Sequence, residues 1–137
     1  MKDRKPILST LWIFVTANYI FCDVLSNMMP EVLKELLDTG QVAGLTLSQE
    51  FLLASAIFME IPFIMIILSR VLKYRANRWA NMIAASLMAL AQIASLFIGT
   101  ATLHYLFYSV IEIAGTLFIV WYAWSWSNSK DASDPEI

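Results

Sequence analysis

Four long apolar stretches divide the chain, and each carries its polar residues at helical spacing. A helix advances about 100° per residue, so positions three and four apart share a face. In the first stretch, residues 6–28, Ser9, Trp12, Thr16, Tyr19, Asp23 and Asn27 form one stripe. In the second, residues 47–72, the stripe is Gln49, Leu53, Ala56, Glu60, Ile64 and Ile67. In the third, residues 79–99, it is Asn81, Ala85, Met88, Gln92, Ser95 and Gly99. In the fourth, residues 103–126, it is Tyr105, Tyr108, Glu112, Thr116, Ile119 and Ala123. The other faces are mainly Leu, Ile, Phe, Val and Met. Each stretch reaches the roughly 20 residues needed to cross a bilayer. Lipid offers no partner to a carboxyl or an amide, so the polar faces are expected to turn inward. The pattern predicts an all-α fold: a four-transmembrane-helix bundle, with residues 1–137 as a single integral membrane domain.

The connection between the first two stretches has its own periodicity. Pro30 suits a first helical position and Gly40 a stop. Val32, Leu33, Leu36 and Leu37 share one face, and Lys34, Glu35 and Asp38 the other. A short amphipathic helix is expected there, in the outer loop. Thr46 and Gln49 have the spacing of a capping box at the start of the second span.

Composition agrees with a membrane protein. The chain is 59% hydrophobic and 15% charged, against about 45–50% and about 25% for soluble domains. Disorder is excluded, since it needs low hydrophobicity and high net charge. A net charge of −2 argues against nucleic acid as a partner. Cys22 is the single cysteine, so the chain can form neither an internal disulfide nor a cysteine metal cluster. There is no glycine-rich phosphate loop, no His/Cys cluster and no nucleophile with an evident His partner. No catalytic residue, metal or cofactor is therefore assigned.

Lys2, Arg4 and Lys5 precede the first apolar run like the start of a signal peptide. The run is long for a signal core and no small-residue cleavage site follows, so a retained helix is expected. Of the nine Lys and Arg residues, only Lys34 falls in the loop after the first span. The positive-inside rule then places both termini and the turn bearing Arg70, Lys73, Arg75 and Arg78 in the cytoplasm. Trp79, Trp121, Trp124 and Trp126 suit that interface.

The candidate chemistry is acidic. By helical rise, Asp23 lies about 8 Å, Glu112 about 14 Å and Glu60 about 18 Å below the outer ends of their spans. Gln92 lies about 10 Å down its own. No Lys or Arg sits at that depth. Acids without basic mates need a proton, a cation or water beside them. Pro62 cannot donate to the carbonyl of Phe58, which predicts a kink next to Glu60. Trp12, Tyr19, Tyr105 and Tyr108 share the faces of the acids, an arrangement suited to packing or to an organic cation. The candidate ligand set is Glu60, Glu112, Asp23, Gln92, Tyr19 and Tyr108. It points to binding or transport of a proton, a cation or a small cationic solute, in a homo-oligomer embedded in the lipid bilayer. A non-catalytic membrane subunit or scaffold that binds a partner protein is one alternative. An intramembrane lipid-modifying enzyme is another.

Two stretches, LSTLWIFVTANYIFCD (residues 8–23) and MEIPFIMIILSRVLKYRANRWANMIA (residues 59–84), resemble a family of small bacterial four-helix membrane proteins, domain of unknown function 6326. The resemblance implies a four-span bundle in a bacterial cytoplasmic membrane and no particular activity. In size and in its membrane glutamates the chain is also similar to small multidrug-resistance transporters. Their essential glutamate lies in the first helix, where this chain has Asp23.

Overall fold

The computed structural model describes residues 4–98 and 102–126. Gly99 of the third stripe, Lys2 and the tail from Ser127 lie outside them. The described chain is five α-helices and one small hairpin. The long helices are α1 (Arg4–Asn27), α3 (Gln49–Val71), α4 (Tyr74–Ser95) and α5 (Leu103–Trp124). Between α1 and α3 lie the short α2 (Pro30–Thr39) and two paired strands, β1 (Gln41–Val42) and β2 (Leu45–Thr46). Three helices, α1, α3 and α5, are long and apolar enough to cross a membrane.

The long helices pack as a ring, α1 against α3 and α5, and α4 against α5 and α3. The α3–α4 interface is the smallest of the four. The core runs down the middle through Leu8, Trp12, Val15, Met65, Ala85, Met88 and Ile119. In α1, Ser9, Trp12, Thr16 and Tyr19 are buried as the spacing requires. The same holds for Asn81, Ala85, Met88 and Gln92 in α4, and for Glu112, Thr116, Ile119 and Ala123 in α5.

In α3 the expected inward stripe faces outward. Leu53, Ala56, Glu60, Ile64 and Ile67 are all exposed, and the buried residues are Pro62, Met65 and Ser69. Glu60 and Ser69 are nine residues apart, which puts them half a turn round the helix from each other. The polar residue that the bundle pairs is Ser69. The α3 helix continues unbroken through Pro62, whose ring is buried in the interface.

Two helix starts also differ. The helix expected from residue 79 begins at Tyr74, because Asn77 ties its first turn to the end of α3. Ser48, not Thr46, caps α3, accepting from the Phe51 N–H at 3.1 Å. Thr46 instead ends β2, in a hairpin that the hydrophobic pattern does not show. Its two-residue turn, Ala43-Gly44, has positive φ at both positions, the geometry that suits a tight hairpin. Gly40 does stop α2, in the left-handed conformation. Together α2 and the hairpin form a cap over one end of the bundle. The other end carries Arg4, Arg70, Arg78 and the C-terminus of α5.

Candidate functional site

The basic end is a dense hydrogen-bond system, in which the buried Trp126 indole N–H is left without a partner. The last carbonyls of a helix have no partner within it and carry a partial negative charge. At the end of α5, the Arg4 guanidinium donates to the Tyr122 carbonyl at 2.7 Å and lies 4.4 Å from the centre of the Tyr122 ring. Arg78 donates to the carbonyls of Ala123 and Trp124. The Tyr74 hydroxyl donates to the Trp126 carbonyl at 2.7 Å. At the end of α3, Asn77 donates to the carbonyls of Ser69 and Leu72. Its neighbour Asn81 joins Trp12 of α1 and Ser69 of α3. The sequence spacing places Asn81 and Trp12 on inward faces but gives Asn77 no role.

Towards the cap half of the bundle more polar groups go unmatched. Gln92 of α4 donates to the Ser109 hydroxyl of α5 at 2.8 Å. Ser95 and Tyr105 hydroxyls lie 2.6 Å apart. His104 meets the Ser26 hydroxyl at 3.0 Å through Nε2 and the Thr102 hydroxyl at 3.1 Å through Nδ1. One turn of α5 beyond Ser109 is Glu112, only 1% exposed. Neither of its carboxyl oxygens has a hydrogen-bond partner. The hydroxyls of Thr16 and Tyr19, buried on the facing helix α1, have none either. Buried polar atoms without partners are uncommon and costly.

Antiparallel packing sets the levels. A Cβ on Gly115 would meet Val15 at 2.9 Å, so α1 and α5 cross closely there. Tyr19 lies one turn above Val15 and Glu112 one turn above Gly115, so the two occupy similar levels. Asp23 lies one turn further towards the cap. Glu112 and Asp23 are near enough to act on each other's charge, and Glu112 acts likewise on Tyr19, though no hydrogen bond joins Tyr19 to Glu112.

Of the sequence-derived candidates, then, the fold groups Glu112, Tyr19 and Asp23, with Gln92 one hydrogen bond away through Ser109. Tyr108 is half-buried and edge-on to Phe107. Glu60 is on the opposite side of α3 from the core and outside this group. Thr16 belongs beside the group, and its place on the α1 stripe was the signal for it.

A family model described as a family of unknown function (DUF6326) matches residues 1–133. The chain belongs to that family. No curated protein and no solved structure matches it. Membership therefore brings no activity with it, and the chemistry has to come from the buried group. Among the described residues no three His, Cys, Asp or Glu side chains gather in a way that holds a metal ion. What the family member does have is one acid sealed between two helices and a second acid above it, nearer the cap.

Proposed function

We propose that the chain is a four-span membrane protein that binds a proton or a small cation at Glu112, reached from the cap end by way of Asp23. The observation that carries the reading is the state of Glu112: a carboxyl with both oxygens buried and no donor within reach. Ionised and alone there, it costs several kcal/mol. A proton or a cation removes that cost. The unpartnered hydroxyls of Thr16 and Tyr19 supply further oxygens on the opposite helix.

A fourth crossing by α4 fits its amphipathic build. Its length of about 33 Å matches a hydrocarbon core. Its mean hydropathy is lowered by Asn77, Asn81 and Gln92, which are buried in the bundle. Trp79, Ile83, Leu87 and Leu90 form its exposed face. With four crossings, the basic end lies in the cytoplasm and the cap outside.

Infrared difference spectroscopy on the full chain in lipid, stepped in pH and then in Na⁺, tests the binding. A carboxyl band that responds to one of these steps is expected, and Glu112→Gln removes it. A difference spectrum that is the same in the wild type and in Glu112→Gln overturns the reading.

A further inference from the structure

Beneath the cap the bundle is not filled. At the basic end α3 and α4 are tied together by Ser69, Asn77 and Asn81. Towards the cap the helices leave a half-open cavity of about 670 Å³. All four long helices line it, through Asp23, Phe58, Ser95 and Tyr105 among others, and α2 and the hairpin roof it. Its size falls within the roughly 300–1,000 Å³ of small-molecule sites.

The lining defines a ligand. Among the described residues, Asp23 is the only acidic or basic side chain in the wall. Leu47, Phe51, Phe58 and Met59 supply an apolar surface on the α3 side. Ser95 and Tyr105 give hydroxyls on the α4–α5 side. An anion would meet a carboxylate and no cation. A wholly neutral apolar ligand would leave Asp23 uncompensated in a space of low dielectric. A bare metal ion would find one carboxylate and a wall too apolar to replace its water. An organic cation matches both halves of the wall: carboxylate attraction strengthens as water leaves, and aromatic faces attract positive charge.

We propose that this cavity binds an organic monocation with an apolar body, its charge against Asp23 and its body on Phe51 and Phe58. The proposal rests on Asp23 being open to a cation, as in the reading above, but not on Glu112, which is absent from the wall. It therefore predicts a ligand class for the cap half even if Glu112 only holds a proton.

Equilibrium binding of radiolabelled tetraphenylphosphonium to the full chain in lipid nanodiscs tests it, with empty nanodiscs as the blank. Saturable binding is expected, weakened at least about tenfold by Asp23→Asn, a change of about 1.4 kcal/mol. Phe58→Ala weakens it several-fold, and Ala54→Trp fills the space and abolishes it. Neutral triphenylphosphine oxide does not compete. Three results overturn the proposal: no saturable binding to the wild type, full binding in Asp23→Asn, or equal competition by the neutral compound. The infrared response of Glu112 is read separately, so failure here and failure there are distinct.

Discussion

The Trp12 indole N–H donates to the Asn81 side-chain oxygen at 2.7 Å, joining α1 to α4 across the bundle. The same oxygen accepts from the Ser69 hydroxyl of α3 at 3.2 Å. The amide nitrogen of Asn81 donates to the backbone and side-chain oxygens of Asn77, one turn earlier. One amide thus connects three helices with every hydrogen-bonding position used. In lipid, where apolar surfaces do not drive helices together, such contacts set the register of a bundle.

Replacing Asn81 should consequently cost more than replacing either of its partners. Asn81→Leu strands the Trp12 and Ser69 donors in the core and should destabilise by about 2–3 kcal/mol. Trp12→Phe removes one donor and leaves the rest of the system paired, for about 1 kcal/mol. Unfolding in mixed micelles by titration with a denaturing detergent measures both. Equal losses would show that Asn81 is no hub.

The α1–α5 crossing has no room at Gly115. The Cβ of an alanine would sit 2.9 Å from Val15 Cγ2. Gly115→Ala should destabilise by about 1–3 kcal/mol, the usual effect of overpacking. Val15→Ala should recover most of that loss when the two changes are combined, because it removes the opposing methyl. A double-mutant cycle decides: simple addition of the two effects would mean that the helices are not in contact there.

Glu112 should behave in the opposite way to a structural residue. Its oxygens make no hydrogen bond, so Glu112→Gln and Glu112→Leu leave no partner behind. Exchanging a buried acid for an apolar side chain of similar volume is often neutral or stabilising, by about 1–4 kcal/mol. Thermal unfolding in detergent should show Glu112→Leu at least as stable as the wild type. A marked loss of stability would mean that the carboxyl holds the bundle together.

Three of the four long helices were legible from their spacing, and the reason is visible in α1, α4 and α5. Each carries several polar or small side chains on one face, so the inward direction is stated many times over. Between its polar ends, helix α3 carries Ser55, Glu60 and Ser69, with Glu60 and Ser69 on opposite faces. A carboxyl is the more costly group in lipid, which favoured Glu60, but the partners at hand, Asn77 and Asn81, select Ser69. Those partners come from the start of α4, beyond any periodicity within α3. The candidate site was legible in the same uneven way. Tyr19 and Glu112 share inward faces and lie at similar levels, with Asp23 exposed one turn nearer the cap, whereas the cap cavity depends on the hairpin at Ala43-Gly44, which leaves no hydrophobic signal in two-residue strands.

The basic end offers the last prediction. Arg78 contacts two successive carbonyls of α5 at once, Ala123 through Nε at 3.2 Å and Trp124 through Nη2 at 2.8 Å. A positive charge at a helix C-terminus contributes about 0.3–1 kcal/mol, and up to about 2 where it is partly buried. Arg78→Ala should loosen the final turn of α5 and raise amide exchange there by roughly tenfold, with little change in mid-helix. Arg78→Lys should recover only part of that protection, because an ammonium is a point charge and has no planar fork to reach both oxygens. Hydrogen exchange read by mass spectrometry on peptides covering residues 117–126 makes the comparison. Lysine restoring full protection would show that charge alone matters, and no change in Arg78→Ala would show that Arg4 and Tyr74 suffice to close the helix end.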